Sequence, residues 1–94
     1  MVFVINKLKY DTDKMTLISE KCERYYTGQH LGYTFAAIDV QLWKSKKGNW
    51  LLTFRRDIAY PISGIALTES EAMDLLLKYD LEVYETLFGE LEEA

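Results

Sequence analysis

Cysteine and histidine are the residues that most often carry nucleophilic or metal chemistry, and this chain has one of each, Cys22 and His30. A nearby base could activate a Cys22 thiolate, but two residues eight apart without a surrounding signature do not indicate a nucleophile. One cysteine forms no intramolecular disulfide, and the two residues are too few for a structural zinc site. We therefore expect Cys22 to be a small buried hydrophobic residue and His30, between Gly28 and Gly32, to be a solvated loop histidine.

Paired carboxylates could supply acid–base chemistry, and Asp11 with Asp13 or Asp39 with Asp57 are the candidates. Turn and helix-cap roles account for the first pair, because short polar side chains accept hydrogen bonds from free backbone amides. A phosphate-binding loop needs several closely spaced glycines between a strand and a helix, and the chain has no such run. The sequence therefore predicts a protein that is not an enzyme and that uses no metal or other cofactor.

Basic and aromatic residues interleave in the first half of the chain. On a sheet surface, aromatic rings can stack on the bases of a single-stranded nucleic acid while cations contact its phosphates. The candidate phosphate contacts are Lys46, Lys47, Arg55 and Arg56. Alternating aromatic residues can instead build a core, and hairpin-tip lysines can protect sheet edges from aggregation. Because the whole chain is acidic, nucleic acid is the less favoured partner.

Charge is divided unevenly along the chain. Residues 1–56 carry ten Lys or Arg against five Asp or Glu, whereas residues 57–94 carry ten acids against Lys78 alone, so the halves have charges of +5 and −9 and sum to −4. Carboxylates on a rigid helical face can imitate a phosphate backbone and occupy a basic groove of another protein. Acidic solvent faces can also serve solubility alone. The candidate partner-binding acids are Glu69, Asp74, Glu82, Glu85 and Glu92.

The chain has 94 residues, of which 49% are apolar and 28% are charged, as in an ordinary soluble globular protein. This length favours one domain over residues 1–94 with a single core. No apolar stretch approaches the roughly 20 residues of a membrane-spanning helix, and the first five residues favour a strand over a signal peptide. We therefore expect a cytoplasmic protein that does not contact membranes.

The clearest strand pattern lies in the middle of the chain. Residues 38–44 and 50–55 alternate in polarity around a Lys-Lys-Gly-Asn turn at 46–49, which predicts a β-hairpin. The other predicted segments are one strand at 2–10, a short helical turn running into a strand within 15–26, a loop at 27–32 and a short strand at 65–67.

The end of the chain predicts two helices. Thr68 and Glu71 match a capping box, in which each side chain bonds the backbone amide of the other residue. Asp80 can cap a second short helix, and Gly89 can end it. Strands followed by helices predict an α+β domain, an antiparallel sheet of four or five strands with two short C-terminal helices packed on one face.

Three segments together resemble a group of small bacterial and phage accessory proteins: Lys9-Tyr10-Asp11-Thr12, residues 42–52 and residues 65–72. The group has a similar Tyr-Asp-Thr start, a strand–Lys-Gly–aromatic strand hairpin and a Leu-Ser/Thr-x-x-Glu-Ala helix start. Where its members often have a Gly-rich segment, this chain has Arg55-Arg56-Asp57-Ile58. The resemblance covers about two-thirds of the chain in pieces. It carries over no catalytic residue and implies an accessory protein of a mobile element that binds another protein.

The leading hypothesis is a non-enzymatic protein-binding module of phage or mobile-element type. It would inhibit a host or defence protein, such as a nucleic-acid-handling CRISPR nuclease, in the manner of an anti-CRISPR protein. The alternative is a nucleic-acid-binding regulator that uses the basic aromatic hairpin. A third hypothesis is self-association into a homodimer, because an edge strand and opposite charges at two ends permit symmetric pairing.

Overall fold

The computed structural model describes residues 1–27 and 32–94. These residues form an α+β fold built on a four-stranded antiparallel sheet, as the sequence predicts. The strands are β1 (Val2–Ile5), β2 (Leu8–Asp11), β3 (Thr16–Ser19), β4 (Tyr25–Thr27), β5 (Thr34–Ala36), β6 (Ile38–Lys44), β7 (Trp50–Arg55) and β8 (Ser63–Leu67), and the helices are α1 (Glu69–Tyr79) and α2 (Leu81–Phe88). The central sheet has the order β3-β6-β7-β8, and the pairs β1-β2 and β4-β5 are separate two-stranded ribbons.

The predicted β6–β7 hairpin is confirmed with both strands at their expected bounds. The Ser45 hydroxyl accepts a hydrogen bond from the Asn49 amide at 3.0 Å, and the Ser45 amide donates to the Asn49 carbonyl at 2.8 Å. The expected alternation of side chains between the two faces of β6 is interrupted near Asp39, which has φ +53°. Ile38 pairs with Arg55 and Gln41 with Thr53, so β6 has one extra residue and a β-bulge. Ile38 therefore shares a face with Arg55 rather than with Val40.

Strand β7 is buried on both of its faces. Trp50, Leu52 and Phe54 point towards the helices and form the core with Leu42 and Leu76. On the other face, Leu51 and Thr53 are 0% and 1% exposed. A single-sided sheet would leave that second face in water, so another layer must cover it.

The covering layer is an N-terminal hairpin where the sequence had predicted one strand over residues 2–10. The structure instead turns at Asn6 and Lys7, with φ of 51° and 64°, and pairs β1 with β2 antiparallel. Two successive residues with positive φ match the twist of a tight hairpin. The hairpin packs β1 against β8, where the Phe3 ring lies over Gly64. Helices therefore lie on one face of the central sheet and the β1–β2 hairpin lies on the other.

The helix signals are confirmed except at Asp80. Thr68 Oγ1 accepts from the Glu71 amide at 3.1 Å, and the Glu71 carboxylate accepts from the Thr68 amide at 2.9 Å. Gly89, with φ +101°, follows α2. Asp80 begins α2 without a side-chain cap, because its buried carboxylate instead accepts a 2.6 Å hydrogen bond from Ser19 Oγ. That bond joins the edge strand β3 to the junction between the helices.

Residues 15–26 differ from the predicted helical turn and strand. A 3-10 turn spans Thr12–Lys14, just before that segment, and is followed by β3, an extended connection and β4. The Asp11 side chain accepts from the Asp13 amide at 3.1 Å, so the expected local role of these acids is confirmed at this turn. The predicted loop at 27–32, including His30, lies mostly outside the described residues. Within the described ranges, neither helix is long and apolar enough to span a membrane.

Candidate partner-binding surfaces

The five predicted acids lie on the two helices and on the segment after them. Glu69 and Asp74 are exposed on α1, Glu82 is exposed in the first turn of α2, and Glu92 is exposed beyond Gly89. Glu85 is half-buried, and its carboxylate accepts a 3.1 Å hydrogen bond from the Leu91 amide. Glu85 therefore holds the C-terminal segment against α2. We call the exposed helix acids Glu69, Asp74 and Glu82 the acidic helix surface.

The acidic helix surface carries carboxylates without cationic partners. The ion pairs found among residues 1–27 and 32–94 join the N-terminal amine to Asp13 and Arg55 to Asp39. Lys78, the only Lys or Arg of the two helices, instead places its ammonium 5.3 Å from the centroid of the Tyr79 ring. The carboxylates of this surface therefore have no Lys or Arg partner within 4.0 Å among the described residues.

The two helices and the segment after them also carry exposed leucines. Leu77 and Leu81 are 39% and 47% exposed, and Leu87 and Leu91 are 43% and 50% exposed. Leu77 lies near the end of α1 and Leu81 begins α2. A surface that combines exposed leucines with unpaired carboxylates can bury apolar area while it attracts a positively charged partner.

A groove of about 430 Å³ lies between α1 and strands β4 and β8. Its lining includes the apolar side chains of Leu52, Ile65 and Leu75, and Asp74 also lines it. Tyr25, which is also in the groove, donates a hydrogen bond from its hydroxyl to the Glu23 carboxylate. That bond raises the pKa of the Tyr25 hydroxyl, because it stabilises the protonated phenol.

The four predicted nucleic-acid contacts are not brought together. Lys46 and Lys47 lie in the turn before β7, and Arg55 and Arg56 lie at its far end, about 20 Å away at roughly 3.4 Å per residue. Arg55 Nε donates to the Tyr60 carbonyl at 3.0 Å, so this guanidinium is engaged in holding the following loop. The hairpin face predicted from the sequence is therefore two separate basic regions.

Arg56, one of the four predicted contacts, belongs to an arginine–aromatic cluster whose assembly the sequence did not predict. Its guanidinium carbon lies 5.7, 5.5 and 5.4 Å from the ring centroids of Tyr26, Phe35 and Tyr60. Arg24 lies 4.6 Å from the Phe54 ring, and its Nε is buried without a hydrogen-bond partner among the described residues. The interleaved basic and aromatic residues of the first half of the chain were the signal for this cluster, but its assembly depends on β4–β5 folding against β7.

A second basic region surrounds a cavity of about 390 Å³ at the β6–β7 turn. Lys46 and Lys47 from the turn meet Lys9 from β2 and Lys14 from the 3-10 turn. Asp11 is the one carboxylate among the residues lining this cavity. Lys9 and Lys14 were not predicted site residues, because only the fold brings them next to the hairpin turn. We call this site the lysine pocket.

Cys22 is buried at 3% exposure and is a free thiol in the core. Burial raises the pKa of the thiol, the neighbouring Ser19 side chain opposes that change, and the nearby Asp80 carboxylate adds to it. A protonated, enclosed thiol is a poor nucleophile. The structure therefore agrees with the buried hydrophobic role expected for Cys22.

The comparisons with known proteins give no family. No protein-family model matches the chain, and neither a curated protein nor a solved structure matches it significantly. In the part of the chain that the structure describes, no three or more His, Cys, Asp or Glu side chains are grouped so that they could hold a metal ion. The surfaces described above are therefore the basis for a functional proposal.

Proposed function

We propose that this protein is a non-enzymatic binding module that docks its acidic helix surface on a basic surface of another protein. The observation that carries the proposal is that exposed, unpaired carboxylates and exposed leucines share the helical layer. A basic partner would supply the cations that these exposed carboxylates lack in the free protein. The leucines add apolar area, which contributes affinity that salt does not screen.

The partner that fits this surface is a protein with a basic groove, such as a nucleic-acid-handling effector of a host or defence system. Carboxylates on a rigid helix can occupy phosphate sites in such a groove without any base contact. The resemblance to mobile-element accessory proteins favours an inhibitor of anti-CRISPR type that acts in the cytoplasm. The inert Cys22 thiol supports binding rather than covalent catalysis.

The test starts with a tagged pull-down from bacterial lysate with and without nuclease, followed by binding of the purified candidate partner. Charge reversal at Asp74→Lys and Glu82→Lys should weaken that binding and flatten its salt dependence. Glu85 is left unchanged because its carboxylate bonds the Leu91 amide.

The matched control reverses Asp13 and Glu20, two exposed acids outside the helices, and makes the same change in net charge. This control should bind the partner like the original chain. Equal binding by both reversed proteins would refute the acidic helix surface as the docking site. A partner that is lost on nuclease treatment would favour nucleic-acid binding instead.

Nucleic-acid binding is the second candidate function, and the arginine–aromatic cluster favours it. Guanidinium groups that stack on rings keep their edge N–H groups for phosphates, and the neighbouring rings can stack on bases. A gel shift with single-stranded oligonucleotide tests it: Arg56→Gln should weaken the shift, whereas Lys21→Gln, which removes an exposed cation outside the cluster, is the matched control. An equal loss in both variants would count against the cluster.

A further inference from the structure

The lysine pocket concentrates positive charge in a chain that is acidic overall. Its four lysines come from three separate elements and face one cavity of about 390 Å³, together with the single carboxylate of Asp11. The formal charge of the lining is therefore +3, whereas the whole chain carries −4. A cavity of this size lies within the range of small-molecule sites, about 300–1,000 Å³.

The pocket lysines are not neutralised by the rest of the described chain. None of them lies within 4.0 Å of a carboxylate among residues 1–27 and 32–94. Asp11 already accepts the Asp13 amide with its Oδ1 at 3.1 Å, so part of its acceptor capacity is used in the 3-10 turn. Four like charges in one recess repel one another, and a multivalent anion is the ligand that would relieve this repulsion.

Neutral donors in the same cavity add hydrogen bonds to this charge. Ser45 and Asn49 line the pocket at the hairpin turn. The Ser45 hydroxyl oxygen accepts from the Asn49 amide at 3.0 Å, which leaves the hydroxyl hydrogen to donate to a ligand. Lysine ammonium groups with nearby hydroxyl and amide donors suit phosphate oxygens, which accept several hydrogen bonds at once.

We propose that the lysine pocket binds a ligand with adjacent phosphate groups. This site lies at the β6–β7 turn beside the N-terminal hairpin, so it is separate from the acidic helix surface and does not depend on the proposed function. The shared chemistry is a run of closely spaced phosphates. Its source is either a free polyphosphate or the phosphodiester backbone of a nucleic acid.

The test is titration calorimetry of the full chain with inorganic tripolyphosphate and, separately, with a short oligothymidylate. The pocket variant carries Lys9→Gln, Lys46→Gln and Lys47→Gln. The control variant carries Lys7→Gln, Lys21→Gln and Lys78→Gln, which are exposed lysines outside the pocket and change the net charge equally. Because all six side chains are exposed, both variants should unfold at the temperature of the original chain.

The pocket variant should lose affinity by about tenfold or more, the effect of roughly 1.4 kcal/mol, while the control stays within about twofold. If the source is a nucleic acid, the oligothymidylate should bind more tightly than tripolyphosphate. The slope of its log affinity against log salt should then become shallower by about 2 in the pocket variant, at about 0.7 per lost contact. Saturable tripolyphosphate binding of one ligand per chain, without tighter oligonucleotide binding, would assign a free polyphosphate. Failure of both ligands to saturate the original chain, or equal losses in the pocket and control variants, would overturn the proposal.

Discussion

The hydrogen bond between Ser19 and Asp80 should be a large contributor to stability for a single polar contact. Ser19 Oγ donates to Asp80 Oδ2 at 2.6 Å, and the two residues are 4% and 5% exposed. Ser19→Ala removes the donor and leaves a buried carboxylate, which water reaches poorly. The bond also joins strand β3 to the α1–α2 junction, so its loss loosens the edge of the sheet from the helices.

Hydrogen bonds to charged groups contribute about 1.5–3 kcal/mol, and we expect Ser19→Ala to lower the free energy of unfolding by about 2 kcal/mol. For a domain of this size, each kcal/mol changes the melting temperature by about 4–8 °C, so the expected decrease is about 10 °C. Urea denaturation followed by tryptophan fluorescence measures the free energy, and Trp50, at 1% exposure, reports the core.

A double-mutant cycle with Asp80→Ala separates the Ser19–Asp80 hydrogen bond from the second hydrogen bond that the Ser19 hydroxyl makes. Ser19 Oγ also accepts a hydrogen bond from the Lys21 amide at 3.1 Å. Ser19→Ala removes that bond both in the original chain and in the Asp80→Ala background, so its cost cancels in the cycle. Ser19→Ala should therefore cost much less in the Asp80→Ala background. Ser70→Ala, at an exposed position of α1, is the control and should change stability little. An equal cost of Ser19→Ala in both backgrounds would refute the reasoning.

Three further predictions concern the surroundings of Gly64, Cys22 and Glu71. Gly64→Ala should destabilise the protein by about 1–3 kcal/mol, because a Cβ there would lie 2.9 Å from the Phe3 ring, and denaturation should show a smaller cost in a Phe3→Ala background; equal costs would contradict it. Cys22 should react with a thiol reagent far more slowly in the folded protein than in denaturant, because it is buried and its pKa is raised, and a native rate like that of a free thiol would exclude this environment. The Thr68 amide lowers the pKa of Glu71, so the stabilisation from Glu71 should be present above the ordinary Glu pKa of about 4.3 and be lost as the pH falls through the lowered value. Urea denaturation of Glu71→Ala and the original chain should therefore converge at acid pH, and a gap that does not change with pH would contradict the assignment.

Local chemistry explains which parts of the fold the sequence predicted. The β6–β7 hairpin followed from alternation around a Gly-containing turn, and the start of α1 followed from the reciprocal bonds of Thr68 and Glu71. Both signals act between residues close in sequence, so they can be recognised without knowledge of the tertiary structure. The same reasoning failed at residues 2–10, because the Asn6–Lys7 turn has no glycine to mark its positive φ values.

The candidate sites depended more on tertiary contacts. The acids of the helices could be placed from the sequence, because each lies on a predicted helix or after it. Lys9 and Lys14 could not be assigned to the lysine pocket, since only the packing of the β1–β2 hairpin brings them to the β6–β7 turn. Asp80 appeared to be a helix cap because Ser19, its actual partner, lies on a distant strand.

Strand β7 separates the two charged regions because it is buried on both faces. The acidic half of the sequence supplies the helical layer, whereas the first residues supply the hairpin layer on the other side of the sheet. Packed layers lie about 10 Å apart, so two layers separate the outer surfaces by about 20 Å, more than twice the Debye length of about 8 Å at physiological ionic strength. Charges on the outer helix surface are therefore largely screened from ligands at the hairpin surface. Loss of binding after a local charge reversal consequently reports contact at that surface rather than the change in net charge, which is why matched reversals elsewhere on the chain distinguish the two.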